Sequence, residues 1–155
     1  MTIDMRLRAT PAFLGGPKPG HAAPSLAQAS TELCVQEMDD AGISVGVIMG
    51  RQVTGDRHPL VVPNDEIAQA CREYPGRFLG FAGADVGSPD LRGALKEVQR
   101  AVGELGMAGV NLEPAMSASP RYADDPALFP IYAWCQDVGV PVSISLSILI
   151  ARDLS

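Results

Sequence analysis

Short apolar runs alternate with longer segments of mixed polarity along most of the chain. The apolar runs predict five β-strands, at residues 2–7, 45–49, 78–83, 109–112 and 140–148. The segments between them predict four helices, at residues 25–41, 65–74, 90–105 and 126–138. Strands that alternate with helices of this length indicate βα units and a parallel sheet. The pattern therefore predicts an α/β fold in which residues 1–155 form one domain, a partial barrel of about four βα units and a fifth strand.

Composition and charge exclude several classes of protein. The net charge is −6 and the twelve basic residues form no cluster, which argues against a nucleic-acid partner. No apolar run is long enough to cross a bilayer, and the N-terminus lacks an apolar signal region, so we expect no membrane partner and a cytoplasmic location. Three cysteines, Cys34, Cys71 and Cys135, lie in helical segments and are expected to be reduced core residues.

Polar residues stand where the predicted strands end. All carboxyl ends of a parallel barrel point to one face, and the loops on that face carry function. This position nominates two candidate catalytic residues, Glu113 and Asp85. It also nominates candidate substrate-binding residues, which are Arg6, Arg8, Arg51, Asn111 and Ser145.

Arg6 and Arg8 have the period-two spacing that places both side chains on one face of a strand. Two guanidinium groups in the barrel mouth would clamp a carboxylate or a phosphate. The alternative is a buried ion network in which Glu113 or Asp85 neutralises them. Both hypotheses remain open from the sequence.

The other polar candidates have a functional and a structural interpretation as well. Glu113 is either a general base or the partner of the arginines. Asp85 either contacts substrate or stabilises the loop that follows the third strand. Ser145 and Ser147 are candidates for anion binding, but no histidine stands near them in sequence to activate a nucleophile.

Four segments resemble one known family. They are residues 3–8 (IDMRLR), 74–78 (YPGRF), 122–126 (YADDP) and 139–142 (GVPV). Together they resemble the amidohydrolase-related family of the metal-dependent hydrolase superfamily, whose members are (β/α)8 TIM barrels. The resemblance covers nearly the whole chain but only the N-terminal half of such a barrel, which needs about 250 residues.

The resemblance implies a divalent metal such as zinc, held in the family by a His-x-His pair on the first strand and a histidine on the fifth. The matching positions here are Arg6, Arg8 and Ser145. A guanidinium is always protonated and only donates hydrogen bonds, so it cannot bind a metal. We therefore predict no metal ligands and no cofactor from this chain.

The family resemblance implies hydrolysis or non-oxidative decarboxylation of a small carboxylated substrate. The arginines would hold the substrate carboxylate, and Glu113 or Asp85 would handle protons. The alternative is a non-catalytic or truncated barrel relative with a binding or scaffolding role. Half a barrel has two open sheet edges, so we also expect a homo-oligomer.

Overall fold

The computed structural model describes residues 1–7, 16–52, 61–116 and 119–145 and contains one curled parallel sheet. Its strands are β1 (Ile3–Leu7), β2 (Val45–Met49), β3 (Phe78–Gly83), β4 (Gly109–Leu112) and β5 (Val142–Ile144). The spatial order is β1-β2-β3-β4-β5, so each strand lies beside its neighbour in sequence. This is half of a TIM barrel, and the predicted α/β fold class is confirmed. Arg8, Ser147 and the end of the predicted fifth strand lie outside the described residues.

Helices connect the strands on the outer side of the sheet. They are α1 (Pro24–Gln28), α2 (Thr31–Asp40), α3 (Asn64–Glu73), α4 (Arg92–Gly103) and α5 (Phe129–Val138). Two 3₁₀ turns, Pro114–Met116 and Pro126–Leu128, follow β4 and precede α5. Within the described ranges, no helix has the length and apolarity needed to span a membrane.

The single helix predicted for residues 25–41 is wrong, because the chain breaks between α1 and α2. Ala29 takes a left-handed conformation with φ 52° and ψ 46°. Ser30 then caps α2, accepting a hydrogen bond from the Leu33 N–H. Ser25 is a buried residue of α1, and its hydroxyl donates a hydrogen bond to Glu37 Oε2 at 2.6 Å. The Ser25–Glu37 contact holds the two short helices together.

Side chains alternate along each strand between an apolar outer face and an inner face that points into the barrel. On the outer face Ile48 packs against α2 and α3, and Val110 and Leu112 pack against α4 and α5. The intervening residues of β4 and its end, Asn111 and Glu113, therefore point inward. Packing of the outer face thus determines which polar groups reach the interior.

Strand β1 has an irregular register against β2. Asp4 is opposite Gly46 and Leu7 is opposite Ile48, so three steps along β1 match two along β2. Such a bulge changes the face on which the following side chains lie. Leu7 covers Gly46 so closely that a Cβ at residue 46 would collide with it. Arg6, inside the irregular stretch, is directed toward the end of β4.

Candidate functional site

Two arginines and one glutamate meet where β1, β2 and β4 end. Glu113 follows β4, and its Oε2 lies 2.7 Å from Arg51 Nε, just after β2. The other oxygen, Oε1, lies 3.6 Å from Arg6 Nη2. The Glu113 and Arg51 side chains are 7% and 13% exposed, whereas Arg6 is 57% exposed. We call these three residues the inner cluster; its two guanidinium groups and one carboxylate leave one excess positive charge.

The Arg51–Glu113 ion pair is close but poorly aligned. Arg51 Nε and Glu113 Oε2 are both buried, and neither makes a hydrogen bond within the described part of the chain. The Nε–H bond therefore does not point at the carboxylate, although the two atoms are 2.7 Å apart. Arg51 Nη2 instead lies 3.1 Å from the Met116 sulfur, a weak acceptor. A buried charge with unused hydrogen-bonding capacity is costly for stability, and such groups are common in binding sites.

Asn111 and Ser145 form a neutral branch beside the inner cluster. Asn111 is 2% exposed, and its Nδ2 donates to the Gly50 carbonyl at 2.9 Å. The Ser145 hydroxyl donates to Asn111 Oδ1 at 3.2 Å. This branch joins the ends of β2, β4 and β5, so the structure brings both predicted residues next to the strand that supplies Arg51.

Asp85 occupies the turn after β3. Its Oδ1 accepts a hydrogen bond from the Gly87 N–H at 3.1 Å, the pattern of an Asx turn. Nearby, Arg121 donates to the carbonyls of Val86 and Ser88 at 3.0 and 3.2 Å. Arg121 also pairs with Asp125, whose pKa is lowered by the Ala127 N–H and then by Arg121. Arg121 thus ties the loop after β3 to the segment before α5.

Sequence reasoning missed Asn64, which makes three hydrogen bonds at the end of β3. Its Oδ1 accepts from the Gly83 N–H at 2.8 Å, and its Nδ2 donates to Gly83 O at 3.0 Å. Nδ2 also donates to Glu97 Oε1 at 2.7 Å. Asn64 is the first residue of α3 and is 1% exposed. Its only sequence signal is an amide directly after Pro63.

The described residues at the strand ends do not fit a divalent metal. Among the described residues, no three His, Cys, Asp or Glu side chains are grouped as a ligand set. At the first-strand position where the resembling family has a histidine, Arg6 presents a permanent cation to Glu113. Ser145 already donates its hydroxyl to Asn111. Arg6 and Ser145 therefore present hydrogen-bond donors where the resembling family presents metal ligands.

Comparisons with known proteins agree with this architecture. The sequence model described as "Amidohydrolase" matches residues 3–153. A 2-amino-3-carboxymuconate-6-semialdehyde decarboxylase from Dictyostelium discoideum is 31% identical over 58% of this chain and 24% of its own length. A gamma-resorcylate decarboxylase from Rhizobium sp. is 33% identical over 50% of this chain and 24% of its own length.

A solved structure, an uncharacterised TIM-barrel protein from Bordetella bronchiseptica, superimposes with a TM-score of 0.78 at 32% identity. The match covers 99% of this chain and 58% of that one. The chain therefore spans little more than half of this solved neighbour, and its match covers about a quarter of each curated relative.

Proposed function

Because the chain belongs to the amidohydrolase family, we propose that its strand ends bind the carboxylate of a small substrate for hydrolysis or non-oxidative decarboxylation. The inner cluster carries this proposal. Its excess positive charge lies at the carboxyl ends of the strands, where barrels of this kind bind their substrates. The two curated relatives of this chain described above are decarboxylases, which favours decarboxylation over hydrolysis.

Each residue of the site has a distinct proposed role. Arg6 and Arg51 would hold the substrate carboxylate, since guanidinium groups match carboxylates with paired hydrogen bonds. Arg8 stays a candidate for the same role from the sequence alone. Asn111 and Ser145 would orient the polar groups of the substrate.

Proton transfer is assigned to Glu113, with Asp85 as the second candidate. In a decarboxylation the bond to the carboxyl carbon breaks, CO₂ leaves, and the remaining carbon takes up a proton. Glu113 lies between both arginines. Once the substrate carboxylate replaces its own in the ion pairs, Glu113 would take up a proton from water and pass it to that carbon. The absence of an aligned hydrogen bond in the Arg51–Glu113 pair would ease this exchange.

Calorimetric titration with gamma-resorcylate tests the binding step, with resorcinol, which lacks the carboxylate, as the control ligand. We expect resorcylate to bind and resorcinol not to bind. Arg51→Gln should weaken binding by about 2–5 kcal/mol, the loss typical of a truncated buried charge pair. Arg92→Gln is the matched control, because Arg92 is 87% exposed and pairs with Asp90. Equal binding of both ligands would refute the carboxylate site.

Detection of released CO₂ separates the two hypotheses for the site. Release that Glu113→Gln abolishes would support an enzyme. Carboxylate binding without any product from this chain would favour the alternative, a barrel relative with a binding or scaffolding role. The observation that favours this second candidate is Arg6, a cation that lies beside Glu113 where the resembling family has a metal-binding histidine.

We also propose that the chain self-associates in the cytoplasm. In the described sheet, β1 and β5 each have one neighbouring strand, and Ile3 and Met5 of β1 are 42% and 55% exposed. Open edges of this kind pair with other strands. Light scattering should show a dimer or larger species, and a stable monomer at micromolar concentration would contradict the proposal.

A further inference from the structure

The hydrogen-bond ladder between β2 and β3 ends at two glycines. Gly50 N–H donates to Phe81 O at 2.7 Å, and continuing the parallel ladder would next join Gly83 N–H to Gly50 O. Instead, Gly83 N–H donates to Asn64 Oδ1, and Gly50 O accepts from Asn111 Nδ2. Two asparagine amides thus take the place of the next rung.

The two glycine backbones touch at this point. A Cβ on Gly83 would lie 2.5 Å from the backbone nitrogen of Arg51 and 2.8 Å from Gly50 O. A Cβ on Gly50 would lie 2.7 Å from Asn64 Oδ1. The peptide that carries Arg51 is therefore packed directly against the peptide that Asn64 holds.

The Arg51 backbone also makes two hydrogen bonds with Val62, which lies just before Asn64 in the chain. Arg51 N–H donates to Val62 O at 3.2 Å, and Val62 N–H donates to Arg51 O at 2.8 Å. Asn64 comes two residues after Val62 and is held in turn by Glu97. Glu97 is fixed by Arg100, with Nε–Oε2 at 2.8 Å. The Arg51 backbone is thus held on one side by Val62 and on the other by Gly83. Asn64 is close to Val62 in the chain and is hydrogen-bonded to Gly83.

We propose that Asn64 is a positioning residue, which holds Arg51 beside Glu113 by clamping Gly83 against the Gly50–Arg51 peptide. Within the described part of the chain no hydrogen bond joins Asn64 to the inner cluster, so Asn64 would act through the backbone alone. The consequence for ligand binding rests on the proposed carboxylate site. The consequence for Arg51 itself does not.

The experiment compares the Arg51 Nε–Hε signal in ¹⁵N NMR spectra of the ligand-free full chain, assigned by its loss in Arg51→Lys. Asn64→Asp keeps the volume and the acceptor for Gly83 N–H but replaces the amide that donates to Gly83 O and Glu97. In fully folded Asn64→Asp we expect the Arg51 Nε–Hε signal to shift. We also expect its affinity for gamma-resorcylate to fall about tenfold or more, as when an outer-shell partner of a ligating group is removed. Gln69→Ala, an exposed change on the same helix, should alter neither.

A merely structural role would lower the melting temperature and leave the Arg51 signal of the folded protein unchanged, which would overturn the proposal. If the wild-type chain binds no resorcylate, the proposed function fails, and the Arg51 signal alone decides the role of Asn64. If Asn64→Asp does not fold, Asn64→Ser decides, since it removes the amide that makes both Gly83 bonds without adding a charge beside Glu97. A shifted Arg51 signal in folded Asn64→Ser supports positioning, and an unchanged one refutes it.

Discussion

The inner cluster and the network on the outer surface of the barrel are opposites in charge and in solvent exposure. In the inner cluster one buried carboxylate, Glu113, lies between two arginines. In the outer network one arginine, Arg100, lies between Asp65 and Glu97 and is 34% exposed. The inner cluster has one excess positive charge and the outer network one excess negative charge.

The two groups also differ in how well their hydrogen bonds are made. Arg100 makes two bonds to each carboxylate, at 2.7 and 3.1 Å to Asp65 and at 2.8 and 2.9 Å to Glu97. The Arg51–Glu113 contact is as short but has no aligned hydrogen bond. The well-aligned hydrogen bonds thus belong to the outer network, where water screens the charges, so these bonds add little stability. The poorly satisfied pair lies where burial makes every polar contact strong, which suits a site that exchanges partners with a ligand.

Removing the central carboxylate of the inner cluster should have the largest effect on stability. Glu113→Ala leaves Arg51 buried beside Arg6 without a counter-charge, so the free energy of unfolding should fall by about 3–5 kcal/mol. Asp65→Ala, the matched change in the outer network, should cost less than about 1 kcal/mol. Urea denaturation of both variants measures the difference. Equal losses would show that the two groups do not differ in their energetics.

Arg6 should affect binding more than stability. Its side chain is 57% exposed and 3.6 Å from Glu113, so Arg6→Ala should change the free energy of unfolding by less than about 1 kcal/mol. As a cation at the rim, it should speed association, and its loss should weaken the salt dependence of gamma-resorcylate binding. Stopped-flow binding at several salt concentrations tests this. A loss of stability near that of Glu113→Ala would instead make Arg6 part of the buried ion network.

Acid should weaken the outer network by a small amount. The pKa of Glu97 is lowered from its ordinary 4.5 by hydrogen bonds from Arg100 and then Asn64, and that of Asp65 is lowered from 3.8 mainly by Arg100. Both groups bind protons less readily when folded, so their stabilisation is present above the ordinary pKa and is lost as pH falls through the lowered one. Melting temperatures measured from pH 6 downward should therefore fall less steeply in Glu97→Gln. An unchanged slope would show that Glu97 contributes no measurable pH dependence.

Local sequence patterns were sufficient for the buried strands and most helices. Strands β2, β3 and β4 have the predicted bounds, because a strand covered by helices on one face and by the barrel interior on the other is mostly apolar, and Asn111 is the one polar residue of these three strands. Helix α5 ends as predicted at Val138, before Gly139 with φ 72°. The break at Ala29 could not be predicted, because an alanine carries no local preference for a left-handed conformation, and the Ser25–Glu37 contact that accompanies it joins residues twelve apart.

The chain by itself determined which chemical groups stand at the strand ends, since Arg6, Arg51, Asn111, Glu113 and Ser145 follow directly from the βα pattern. Only the tertiary structure decided which of them meet. Arg51 and Glu113 are separated by 62 positions and pair because the register through β3, continued past Met49, sets Arg51 level with Asn111, two residues before Glu113. The direction of Arg6 depends on the register shift in β1, and the role of Asn64 depends on a ladder bond that two glycines leave open. Strand register and long-range backbone contacts have no local sequence signal, because they arise from packing between segments that are distant in the chain.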